Sequence, residues 1–202
     1  MIINNYDHII VYFSGGKDSI ACFLWLLETD VDISKVELWH HDVDGKARRF
    51  MDWPCTEAYC KAFAHAFDVP LYLSWKHGGF LREMMRKDQP TAPITFETPY
   101  GSVTVGGESK KLGTRHKFPQ VSADLSVRWC SAYLKIDVAA TAIRNQSRFV
   151  GKKTLVISGE RAEESPARAK YKNFEPDRSD NREGAKVDRH VDRLRPIHAW
   201  TE

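Results

Sequence analysis

The sequence predicts an α/β fold, a mostly parallel twisted sheet with helices on both faces. Three observations carry that expectation. Apolar strand-like runs alternate with helix-period stretches from residue 8 to residue 158, and repeated β-α-β order implies parallel strands joined by crossover helices. A short glycine-rich loop joins the first strand directly to the first helix. A later strand, Thr154 to Ser158, is apolar enough to be buried on both faces.

Each element follows from local pattern. Ile9-Ile10-Val11-Tyr12-Phe13 gives a strand over 8–13, and apolar spacing places a helix at about 18–28. Lys35 to His41 is a second strand, rich in Val, Leu and Trp. Pro54 sits in the first turn of a helix that runs to Phe67. Pro70 to Trp75 is a third strand and Phe80 to Arg86 a short helix. Residues 88–127 are broken by Pro90, Pro93, Pro99, Gly101, Gly106, Gly107, Gly113 and Pro119, which predicts an irregular excursion with a hairpin around Ser102–Val105. A helix is expected from Val127 to Asn145, with Trp129, Tyr133, Ile136, Ala140 and Ile143 as its buried stripe. Residues 161–195, crowded with both charge signs, are expected as a mobile, salt-rich loop.

The chain of 202 residues, 42% hydrophobic and 28% charged, suits a single domain. A net charge of +3 is too small to argue for nucleic acid by itself. Residues 1–7 lack the basic and apolar regions of a signal peptide, and the run Ile20 to Leu27 is too short to span a membrane. The expectation is a cytoplasmic protein with no membrane partner. Its four cysteines (22, 55, 60 and 130) show no disulfide framework, so reduced thiols are expected.

The chemistry concentrates at Ser14-Gly15-Gly16-Lys17-Asp18-Ser19, between strand and helix. Glycines there permit a tight turn and let backbone N–H groups approach an anion. The helix that follows directs its positive end at the same point. Ser14 and Ser19 add hydroxyls and Lys17 a mobile charge. The string is not a Walker A loop, which needs Gly where Val11 stands and Ser or Thr where Asp18 stands. Ligands of parallel sheets sit at the carboxyl ends of the strands. Four blocks fall there and are expected to converge: 14–19, 40–45, 76–79 and 158–168. On the second strand His40 and Asp42 face one side and His41 the other, so the two histidines make no natural metal pair. Arg128 and Lys135, seven residues apart, share a helix face suited to a second anion, and Arg161 and Arg168 extend from the last block.

Taken together, four features resemble the PP-loop ATP pyrophosphatases and, in their order, the PAPS reductase superfamily. They are SGGKDS, an Arg-Trp-Cys block ending in Leu-Lys at 128–135, Gly159-Glu160-Arg161-x-x-Glu164-Ser165-x-x-Arg168, and Arg195-Pro196-Ile197-x-x-Trp200. The resemblance implies an adenine nucleotide alpha hydrolase-like fold. Phosphosulfate reductases of the superfamily use a cysteine in a C-terminal Glu-Cys-Gly-x-His segment, and this sequence has none. Its end at Trp200-Thr201-Glu202 resembles the start of the family's next helix, so a truncated chain is expected. The closer resemblance is to the ATP-hydrolysing branch that includes the sulfur-transfer component of DNA phosphorothioation systems.

That resemblance implies ATP with Mg²⁺, cleavage to AMP and pyrophosphate, and sulfur transfer to an activated acceptor. It gives Gly15, Gly16 and Ser19 to the departing pyrophosphate, Lys17 to its charge, and Asp18 to Mg²⁺ or loop orientation. Lys135, Arg161 and Arg168 are implied as further anion contacts, with Ser14 and Gly159 lining the site. His40 or Asp42 would frame adenine. A sulfur-donor protein within a multi-protein complex is the implied partner. DNA is the implied acceptor, and Lys110, Lys111, Arg115 and Lys117 form a basic cluster for it. Cys22 and Cys55 are expected in the core, whereas Cys130 is the candidate functional thiol, with Arg128 and Lys135 near it in sequence. An iron–sulfur cluster occurs in relatives but is not favoured, since no Cys-x-x-Cys pair is present. The competing readings are a PAPS reductase-like enzyme and a non-catalytic nucleotide-sensing module.

Overall fold

The alternation seen in the sequence becomes an eight-stranded mixed sheet in a computed structural model, which describes residues 3–120, 122, 127–184 and 187–201. The strands are β1 (His8–Tyr12), β2 (Val36–Asp42), β3 (Leu71–Lys76), β4 (Ile94–Thr98), β5 (Gly101–Val105), β6 (Lys153–Ile157), β7 (Phe174–Pro176) and β8 (His190–Leu194). Their order is β5-β4-β3-β2-β1-β6-β8-β7. Pairs β1/β2, β1/β6 and β6/β8 are parallel, whereas β3/β4, β4/β5 and β7/β8 are antiparallel. The α/β class is therefore present. Its parallel part is central and antiparallel pairs build the edges, with a tight hairpin only between β4 and β5.

Two units make up the chain: residues 1–40, 58–71 and 143–202 in the first, 41–57 and 72–142 in the second. In the first unit, Ile9, Val11 and Phe13 project to one side, with Val11 level with Leu38 on β2 and Ile157 on β6. Against that face lie Cys22, Phe23 and Leu26 of α1 (Lys17–Leu27) and Cys60 and Ala64 of α2 (Thr56–Ala66). Burying a side chain such as Phe23 or Leu26 contributes roughly 1.5–3 kcal/mol, as an upper estimate. β1 is enclosed, with Ile9, Ile10 and Val11 all fully buried. Glu37 of β2 is also buried, held bidentately by Arg148 and by the indole N–H of Trp39 at 3.0 Å.

The second unit has its own small core of Phe80, Trp129 and Leu134, with Val43, Met84, Cys130 and Tyr133 packed against it. Phe80 belongs to α3 (Gly79–Met85), whose start presses on the β2 exit: Phe80 N–H donates to Val43 O at 2.9 Å. A Cβ on Gly45 would meet Lys76 O at 2.2 Å and Gly79 N at 2.3 Å, so only glycine fits there. Blocks 40–45 and 76–79 do meet.

Two details differ from expectation. The helix over 129–144 is not regular: α4 (Trp129–Ser131) and α5 (Asp137–Arg144) flank a π-helical turn at Ala132–Ile136. That turn rotates the buried stripe, so Leu134, Val138 and Ala139 are buried while Tyr133 and Ile136 are only partly so. Residues 161–195, apart from 185 and 186, which lie outside the described residues, hold β7 and β8 instead of a loop throughout. The excursion at 88–127 contains the β4–β5 hairpin, and its residues 121 and 123–126 lie outside the described part.

Candidate functional site

In the first unit the backbone turns sharply where β1 ends. Gly15 adopts φ +79°, and a Cβ there would lie 3.1 Å from Cys60 Sγ and 3.2 Å from the Tyr59 ring. Gly16 is the N-cap of α1 and has no side-chain cap, so the first turn opens outward with its donors uncovered by a capping side chain. Asp18 lies in that first turn, where a carboxylate suits the helix dipole. Ser14 and Lys17 are exposed.

The two serines brace the turn. Buried Ser19 donates its hydroxyl proton to Gly16 O at 2.8 Å, and Gly16 N–H lies 3.4 Å from Ser14 Oγ as a weak donor. Ser19 therefore shapes the loop through its own backbone contact. His40, buried at the end of β2, uses Nδ1 to bond Phe13 O at 2.9 Å, with Cys60 Sγ 3.6 Å from the same nitrogen. It fixes the carbonyl that leads into the loop.

Block 158–168 meets block 14–19. Arg161 Nε lies 3.1 Å from Asp18 Oδ1, and a Cβ on Gly159 would come within 3.0 Å of Asp18 O. Arg161 is buried and also pairs with Glu163, while its N–H donates to Glu164 Oε1 at 3.0 Å. Arg168 pairs with Glu164. Both arginines expected as anion contacts thus carry carboxylate partners within their own block, and Arg161 also orients Asp18. Ten residues of the sequence-based site lie in this unit: Ser14 to Ser19, His40, Gly159, Arg161 and Arg168.

Asp42, Cys130 and Lys135 belong to the second unit. Asp42 is buried and spends its oxygens on the N–H groups of Asp44, Gly45 and Lys46 and on Arg49. It anchors the loop after β2. Lys135 is exposed on the π-helical turn, and Cys130 is half-buried against Phe80 and Trp129. Arg115 of the basic cluster is folded inward onto Glu83 at 2.8 Å, leaving Lys110, Lys111 and Lys117 exposed.

Cys22 is in the core as expected, and burial pushes its thiol up to about 12. Cys55 is not: it precedes α2, which starts at Thr56, and is exposed, while Cys60 takes the buried position. Among the described residues no three His, Cys, Asp or Glu side chains gather as a metal site. Mg²⁺ asks for less, one or two carboxylates beside substrate phosphates, and Asp18, partly exposed at the loop, fits that demand.

Sequence reasoning passed over two features. Tyr59 stands half-exposed beside Gly15. Glu160 lies between Arg193 (3.6 Å) and Arg195 (3.3 Å), with Arg193 also on Asp177 at 2.6 Å and over the Tyr12 ring at 5.4 Å. Burial works against the charge of Glu160, but Arg193 and Arg195 outweigh it and hold the carboxyl below its ordinary range. The alternation Arg193-x-Arg195 was the available signal. No known family model matches the sequence, and no curated protein matches it significantly.

Proposed function

We propose that the chain is a PP-loop enzyme that binds ATP with Mg²⁺ and cleaves it to AMP and pyrophosphate, activating an acceptor for sulfur transfer. The observation that carries this reading is the loop itself: a left-handed Gly15, then Gly16 at the uncapped start of an eleven-residue helix, directly after the central strand. Such a turn presents backbone donors and a helix dipole to an anion. Lys17, exposed at the rim, suits a phosphate oxygen. Asp18 would hold Mg²⁺, with Arg161 keeping its carboxylate in place; the ion would neutralise charge on the phosphates when bound.

In the proposed step an acceptor oxygen attacks the α-phosphorus, and the bond to the bridging α–β oxygen breaks. That oxygen leaves with the electron pair as part of pyrophosphate. The loop's contribution is fixed positive potential where negative charge develops. The terminal sulfur of a donor protein's persulfide then attacks the activated acceptor atom, AMP leaves with the acceptor oxygen, and a second donor-protein thiol cleaves the S–S bond as a disulfide, leaving sulfur on the acceptor. DNA as acceptor is supported by the exposed Lys110, Lys111 and Lys117, cations of the kind that meet phosphates. The rival readings, a PAPS reductase-like enzyme and a nucleotide sensor, use the same loop.

Calorimetry with ATP–Mg²⁺ on the wild type and Lys17→Ala tests the site. Loss of one charge-assisted contact is expected to weaken binding by about 1.5–3 kcal/mol. Equal affinity in the two proteins would remove the loop from the nucleotide site.

A further inference from the structure

Lys76 closes β3 in the second unit, and its side chain is buried, with the residue 5% exposed. An ammonium taken that far from water is costly unless an anion meets it. Its one hydrogen bond among the described residues is a long contact to Thr91 Oγ1, 3.4 Å, and no carboxylate among those residues forms an ion pair with it. Glu83, a buried carboxylate whose charge acts on Lys76, is already taken by Arg86 at 3.1 Å and Arg115 at 2.8 Å. Both guanidinium groups are themselves largely buried. Arg86 and Arg115 thus share Glu83 between them, while Glu83 and Asp137 act on Lys76 only through their charge, so three cations face two carboxylates. Aromatic faces complete the cluster. Lys76 Nζ lies 4.8 Å from the centre of the Tyr133 ring, and Arg115 lies 4.3 Å from that ring and 4.7 Å from Trp129. Burial lowers the Lys76 pKa, with Arg86 and Arg115 adding to the shift and Glu83 and Asp137 opposing it.

We propose that this cluster is a binding site for a compact oxyanion, a phosphate or carboxylate group, seated on Lys76 Nζ beside the Thr91 hydroxyl and away from the electron-rich face of the Tyr133 ring. Thr91 and Tyr133 are both partly open to solvent, which gives a small ion a way in. The ion would supply the missing negative charge, and the neighbouring guanidinium of Arg115 would add long-range attraction. The site is built wholly from the second unit and does not depend on the nucleotide loop of the first.

The test is amide NMR on the full chain, titrated separately with inorganic phosphate and with acetate at constant ionic strength. Saturable shifts at Lys76, Thr91 and Tyr133 are expected in the wild type and equally in Lys17→Ala. In Lys76→Met, which keeps the side chain's bulk without its charge, affinity should fall at least tenfold. Response to phosphate alone assigns a phosphate group, response to acetate a carboxylate. Shifts confined to residues 14–19, absence of shifts with both ions, or undiminished affinity in Lys76→Met would overturn the proposal. The wild-type titration decides the matter even where Lys76→Met does not fold.

Discussion

Replacing Gly15 by Ala separates the loop's shape from its composition, because Gly16 beside it is a matched control. At Gly15 an L-residue must adopt φ +79°, which costs about 1–2 kcal/mol. Its Cβ would sit 3.1 Å from Cys60 Sγ, a fully buried atom beside His40 that cannot retreat cheaply, and 3.2 Å from the Tyr59 ring, which is exposed and can swing away. The thiol contact adds about 1 kcal/mol of overpacking. Reduced freedom of the unfolded chain returns about 0.4–1 kcal/mol. The net loss is about 2 kcal/mol. Gly16 sits at φ −82° with its nearest neighbour, Ser14 Oγ, at 3.4 Å. Ala there gains the same unfolded-state term and loses a comparable N-cap preference, a balance of roughly 0.5 kcal/mol or less. Urea denaturation followed by tryptophan fluorescence measures both, and thermal midpoints should fall by about 4–8 °C for Gly15→Ala. Equal midpoints for the two variants, or a larger loss at Gly16, would refute the reasoning.

Two further outcomes follow from the charges and thiols. Glu160 and Asp177 are pushed upward by burial but held below the ordinary carboxylate range chiefly by Arg193. A depressed folded pKa means stability present above the unfolded value of about 4 and lost as pH falls through the folded one. Urea midpoints should therefore be insensitive to these groups above about pH 5 and fall below about pH 4, less steeply in Arg193→Met. An unchanged acid limb in that variant would count against the Arg193 network. With a thiol reagent under native conditions, Cys55 should react first and Cys130 more slowly, while buried Cys22 and Cys60 wait for unfolding. Fast modification of Cys60 would contradict its place beneath Gly15.

The legible parts of the fold were those whose signal is local. β1, the loop and α1 follow from an apolar run, two glycines and a 3.6-residue period within twenty residues. β8 was illegible for the opposite reason. Its His190 and Asp192 look like solvated charge, yet Asp192 is buried and satisfied by Tyr6 at 2.8 Å, 186 residues away, as well as by Arg182 at 2.6 Å. Charge that pairs across long separations reads as a loop until the pairing is seen. Cys55 was expected in the core because it shares a helix face with Tyr59 and Phe63, whereas α2 starts after it, at Thr56, and buries the stripe of Cys60 and Ala64. Within the candidate site, residue types were readable but their allegiances were not. Nothing in Gly-Glu-Arg-x-x-Glu says that Arg161 faces Asp18 and Glu163 together.

The most direct measurement is to incubate the chain separately with ATP–Mg²⁺ and with phosphoadenosine phosphosulfate, supplying a thiol reductant, and to assay pyrophosphate and sulfite. The account predicts pyrophosphate from ATP, with water as the attacking oxygen where no other acceptor is supplied, lowered in Lys17→Ala at subsaturating ATP, and no sulfite from the phosphosulfate. Sulfite without pyrophosphate would contradict it and assign the loop to a reductase.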